Sequence, residues 1–142
     1  MSSLQVVWFK RDLRVRDHRP LFEAARRGPV LGLYVYEPSL WQADDAHAGH
    51  LRFVNESLDA LADALSARGG RLLRCVGEVP AVLDRLHTAL PFSTLWSHEE
   101  TGNLLSYRRD QAVQRWCRDT AVAQVEMPHN GVVRRLDTRD GW

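Results

Sequence analysis

Strand-length apolar runs and helix-length amphipathic stretches take strict turns along this chain, and that alternation restricts the fold more than any other feature. The runs lie at residues 5–9, 30–36, 71–76, 94–97 and 122–127. Between them, residues 20–27, 48–68, 78–90 and 102–120 carry apolar side chains at three- and four-residue spacing, the period of a helix with one buried face. Leu51, Val54, Leu58, Leu61 and Leu65 make one such stripe. Val79, Val82, Leu83, Leu86 and Leu90 make another, and Leu105, Ala112, Val113 and Trp116 a third. Pro20 suits a first helical position, and Gly28-Pro29, Gly69-Gly70 and Pro91 read as stops. Repeated β-α order predicts an α/β fold, because right-handed crossovers lay helices on both faces of a parallel sheet. The expectation is a Rossmann-like, doubly wound, five-stranded parallel sheet of order 3-2-1-4-5.

Open sheets of this kind bind ligands beyond the carboxyl ends of their strands, where the strand order reverses. That switch point falls between the first and fourth strands, so residues 10–14, 34–37 and 98–103 should line it. The first run breaks abruptly into Lys10-Arg11-Asp12-Leu13-Arg14-Val15-Arg16-Asp17. Alternating signs can simply tie a loop together by charge-assisted hydrogen bonds. Lys10 stands out as the chain's single lysine among 19 basic residues. The second run ends in Tyr34, Tyr36 and Glu37, which suit either a flat-ring site or core packing. Residues 37–47 read as a loop, longer than most β-to-α connections. The fourth run leads through His98, Glu99, Glu100 and Asn103 into a helix N-terminus, where acids also serve as plain helix-terminal residues.

The bulk numbers narrow the function. A chain of 142 residues suffices for one domain, and a net charge of +1 gives no global basic excess for nucleic acid. No stretch approaches the roughly 18 apolar residues of a membrane span, and no signal peptide precedes Lys10, so a cytoplasmic protein is expected. Cys75 and Cys117 lack metal-ligand spacing and read as buried free thiols. Gly-x-Gly-x-x-Gly, the phosphate loop ending in Gly-Lys-Ser/Thr, and Gly-x-Ser-x-Gly are all absent. The third strand ends in Cys75-Val76-Gly77 rather than a receiver-type aspartate. No catalytic residue and no metal site is therefore expected.

Residues 6–21 closely resemble the opening of the photolyase/cryptochrome family, a strand followed by Trp-Phe-Arg-x-Asp-Leu-Arg-x-x-Asp-Asn, with Lys10 and His18 as departures. His50, Phe53, Ser57 and Leu58 match its His-x-x-Phe-x-x-x-Ser-Leu region, and Arg108-Arg109-Asp110 its helix mark. Asn130-Gly131-Val132-Val133-Arg134-Arg135 resembles the start of its linker. The resemblance implies an N-terminal α/β domain over residues 1–128, with 129–142 beginning the linker to an FAD-binding helical domain not included here. It implies light harvesting by an antenna chromophore (flavin, deazaflavin, lumazine or folate) near Lys10, Arg11, Tyr34, Tyr36, Glu37, His98, Glu99, Glu100 and Asn103. Folate-binding members carry Asn-Glu where this chain has Leu105-Ser106, which counts against that choice. The whole protein would split pyrimidine dimers with light-excited reduced FAD, touching DNA through the helical domain and no membrane. These 142 residues alone would not be catalytic. A cryptochrome-type photoreceptor domain, a small nucleotide-binding module and an interaction domain are the alternatives.

Overall fold

The structure, a computed structural model, describes residues 3–43, 48–100 and 104–128. Among the described residues, five strands and five helices follow in the order β1 (Gln5–Phe9), α1 (Arg19–Arg27), β2 (Val30–Tyr36), α2 (Pro38–Ala43), α3 (Ala48–Ala67), β3 (Arg71–Val76), α4 (Val79–Ala89), β4 (Thr94–His98), α5 (Leu104–Thr120) and β5 (Ala123–Met127). The sheet order is β3-β2-β1-β4-β5, and every pairing is parallel. This is the topology expected from the alternation. The stretch read as a loop after β2 instead begins with the short helix α2, which starts at Pro38. A proline fits the first turn of a helix, since its missing N–H would have no partner there. Residues 44–47 and the tail motif at 130–135 lie outside the described residues.

Strand parity sorts the core. Val6, Trp8, Leu33, Val35 and Leu95 face α4 and α5, where Val79, Val82, Leu83, Leu86, Val113 and Trp116 close over them. Val7, Phe9, Tyr34 and Trp96 face α1 and α3, meeting Leu21, Ala24, Val54, Leu58, Leu61 and Leu65. β1 is wholly buried, as its central place between β2 and β4 requires. Edge strand β3 is only partly covered, and Cys75 is half-buried rather than buried. Three members of the expected stripes, Leu51, Leu90 and Leu105, are exposed. Each lies in the first turn of its helix or just past the last one. Leu90, for example, is the C-cap residue of α4.

Gly32 lets α3 approach the sheet. A Cβ there would stand 3.0 Å from both Leu65 Cδ1 and Phe9 Cε2. Helix α3 ends in the paired backbone bonds Gly69 N–H to Ser66 and Gly70 N–H to Leu65, with Gly69 at φ 85°. That left-handed residue is where glycine relieves the clash a side chain would make.

Candidate functional site

At the carboxyl ends of β1, β2 and β4 the side chains divide between the two faces of the sheet, and each face carries its own polar network. On the α5 face, Arg109 is the centre. Its Nη1 donates to Glu37 Oε1 at 2.6 Å and its Nε to Asp110 Oδ1 at 2.7 Å, while Nη2 donates to Glu100 Oε1. Lys10 Nζ lies 3.5 Å from Asp110 and 3.6 Å from Glu126. Both cations rest over the indole of Trp8, at 4.4 and 4.9 Å from its centroid, an arrangement the ring quadrupole favours. Arg11, largely exposed, reaches Glu100 at 2.9 Å from outside.

Burial sets the electrostatics of this cluster. Desolvation raises the Glu37 carboxyl to about 7, against the opposing pull of Arg109. Glu126 is raised for the same reason, with Lys10 opposing. Burial disfavours the Arg109 cation, but Glu37, Asp110 and Glu100 outweigh it and hold the guanidinium charged above its ordinary value. Among the described residues, buried Glu37 Oε2 and Ser97 Oγ make no hydrogen bond, and Lys10 Nζ meets Asp110 and Glu126 only as ion pairs. They stand at the ends of β1, β2 and β4, and the switch point lies between β1 and β4. Buried polar atoms without partners are rare in folded proteins, and each marks a place where something else is bound or strained.

On the α1 face the centre is Asp12, almost fully buried. Oδ1 accepts the Lys10 backbone N–H at 2.8 Å, and Oδ2 lies 2.5 Å from His18 Nε2 and 2.7 Å from His98 Nδ1. His18 is also the N-cap of α1, its Nδ1 accepting the Leu21 N–H at 3.1 Å. That second bond fixes the tautomer, since a ring nitrogen that accepts leaves the proton on Nε2 to be donated to Asp12. Burial would raise the Asp12 carboxyl, but the hydrogen bonds from His18 and His98 and the Lys10 N–H overcome it and hold the group well below its ordinary value. One carboxylate thus ties the loop after β1, the start of α1 and the end of β4.

Asp12, His18 and His98 have the residue types of a metal site. Their separations are those of direct hydrogen bonds, shorter than the spacing of ligands that share a cation at about 2.0–2.1 Å. A metal on His18 Nε2 would also put the ring proton on Nδ1, against the Leu21 N–H. The arrangement is a hydrogen-bonded hub.

The residues expected to line one site are therefore spread over two faces. Lys10, Glu37 and Glu100 join the Arg109 network, with Arg11 at its rim. Tyr34 and Tyr36 lie on the opposite face, edge to face at 5.1 Å, with the Tyr36 hydroxyl donating to Asn55 at 2.5 Å. His98 belongs to the Asp12 hub. Glu99 is exposed, and its N–H caps β5 at the Met127 carbonyl. Asn103 lies outside the described residues. The sequence reading missed Arg109, Asp110 and Glu126 as site residues. Arg109-Asp110 lies more than 70 positions from Glu37, and only the topology brings them together.

Chemically, the cluster holds charge and one carboxyl that titrates near neutrality. Cys117 is pushed up to about 11 by burial, away from nucleophilic use.

Comparison with known proteins places these features. The family model described as DNA photolyase matches residues 5–140. An uncharacterized 31.6 kDa protein of Synechococcus sp. is 31% identical over 121 residues, which cover 84% of this chain and 42% of that one. The deoxyribodipyrimidine photo-lyase of Thermus thermophilus is 34% identical over 112 residues, covering 76% of this chain and 26% of that one. In fold, the chain superposes on an archaeal photolyase from Sulfolobus tokodaii, solved with two FAD molecules, at a TM-score of 0.77. That match has 22% identity and covers 88% of this chain and 29% of the other. The chain spans less than half the length of each.

Proposed function

This chain belongs to the DNA photolyase family, and from that premise we propose that it is the N-terminal light-harvesting domain of a deoxyribodipyrimidine photo-lyase. Residues 1–128 form the α/β domain and 129–142 begin the linker to a helical domain that holds FAD. That second domain binds the damaged DNA and splits the dimer. The 142 residues here are not catalytic by themselves.

The observation that carries the antenna role is the pair of buried polar atoms without a hydrogen bond, Glu37 Oε2 and Ser97 Oγ, at the ends of β2 and β4. The residues present fit one part of an antenna chromophore and not another. An uncharged heteroaromatic ring edge has donors and acceptors that these two atoms can satisfy. A phosphate does not fit, because Arg109 and Lys10, the buried cations, are already engaged by carboxylates. When bound, such a ring supplies absorption in the near ultraviolet or blue. The chain's part is to orient it. Glu37, raised to about 7, can present a proton or a lone pair, Ser97 a hydroxyl, and the Trp8 layer beneath keeps water out.

The test is the absorption and fluorescence of the purified chain, followed by titration with riboflavin, a deazaflavin and a lumazine. A saturable complex absorbing beyond the tryptophan band is expected with at least one of them. Protein absorption alone, with no saturable binding, would overturn the antenna role.

A further inference from the structure

We propose that Glu37, Glu100 and Glu126 set the charge selectivity of this strand-end site, so that it rejects phosphate-bearing ligands and takes uncharged rings. The inference rests on the reading of the site as a chromophore position and adds which chromophores it admits. Four carboxylates, Glu37, Glu100, Asp110 and Glu126, surround two buried cations, Lys10 and Arg109. A third cation, Arg11, is held mostly in water by Glu100. Glu78 and Glu99 add negative potential at the edges, acting on Glu37 and Glu126 respectively. Every donor edge of the Arg109 guanidinium already meets a carboxylate. An incoming phosphate would have to displace one of them and leave it buried and unpaired, next to its own charge. Like charges brought together out of water are strongly disfavoured, and specificity of this kind is built by repulsion as much as by attraction. The unbonded atoms Glu37 Oε2 and Ser97 Oγ, by contrast, ask only for hydrogen bonds.

Riboflavin and FMN carry the same ring and differ by the phosphate, so they separate ring recognition from charge. The experiment titrates the 142-residue chain, its Glu126→Gln variant and its Glu37→Gln/Glu126→Gln variant with each, following flavin fluorescence, with circular dichroism to confirm folding. Glu126→Gln keeps the test open if the double variant fails to fold. The expected result is riboflavin binding at least about tenfold tighter than FMN in the wild type, and a tenfold or larger gain in FMN affinity in the variants. FMN binding the wild type as tightly as riboflavin overturns the selectivity and leaves the antenna role standing. FMN gain in the variants without riboflavin binding in the wild type supports the selectivity and counts against the antenna role. Folded variants that gain no FMN binding overturn the selectivity.

Discussion

Asp12 shows how much one side chain can fix. It lies between two histidines and a backbone N–H and accepts from all three, with Phe9 against the His18 ring at 4.8 Å. Replacing it with asparagine keeps the shape but turns one acceptor into a donor, so at least one buried N–H loses its partner. Leaving a buried polar group unsatisfied, in a site built around a charge, costs roughly 2–4 kcal/mol. Asp12→Asn should therefore lower the urea midpoint of the chain with no change in slope. A loss below about 0.5 kcal/mol, within the range of ordinary surface changes, would mean the hub is not what secures the end of β1. In sequence, Asp12 stood inside a run of alternating charges in which nothing marked one acid above another. His18 and His98 lie six and 86 residues away, and their meeting is a consequence of strand order.

At the scale of elements, the two long helices end in the same backbone pattern with different residues. Helix α5 closes with Ala121 N–H on Arg118 and Val122 N–H on Cys117, the arrangement that Gly69 and Gly70 make at the end of α3. The residue in the left-handed position is Ala121, at φ 62°. An alanine Cβ costs about 1 kcal/mol or more there, part of which is offset by the greater chain entropy of unfolded glycine. Ala121→Gly is thus expected to stabilise the chain by about 0.5–1 kcal/mol, seen as a rise of a few degrees in the thermal midpoint. A fall would show that β5 depends on the alanine. The reverse change at a crowded place, Gly32→Ala, forces Leu65 and Phe9 apart and should cost about 1–3 kcal/mol. Among the described residues, all five strands and four of the five helices were legible in the sequence because periodicity reports which face is buried. The short helix α2 was not, since six residues are too few to show a period. Nor was the exposure of Leu51, Leu90 and Leu105, because a period does not say where the covering layer ends.

For the molecule as a whole, the two networks on opposite faces of the sheet respond to pH in opposite senses. Asp12 is held below its ordinary value of 3.8, so the folded chain resists its protonation. Its contribution is present above that value and is lost as pH falls below it. Glu37 is raised from 4.5 to about 7, so between those limits the folded chain binds more protons than the unfolded one. Stability then falls as pH rises through that window, by as much as about 3 kcal/mol for a group so buried. Glu126, raised in the same direction, adds to the fall. The chain should consequently be most stable in mildly acidic solution, near the ordinary carboxylate values, and weaken toward neutrality. Glu37→Gln keeps an acceptor for Arg109 and removes the titration. It should flatten the limb between pH 4.5 and 7, leave the acid limb set by Asp12 unchanged, and make the variant more stable than the wild type at pH 8. Denaturant unfolding of both proteins across pH 3–8 measures all three effects. If the wild type held constant stability from pH 4.5 to 8, Glu37 would have to be ionised throughout at no cost, and the net negative balance of the Arg109 cluster would have to be relieved in some other way.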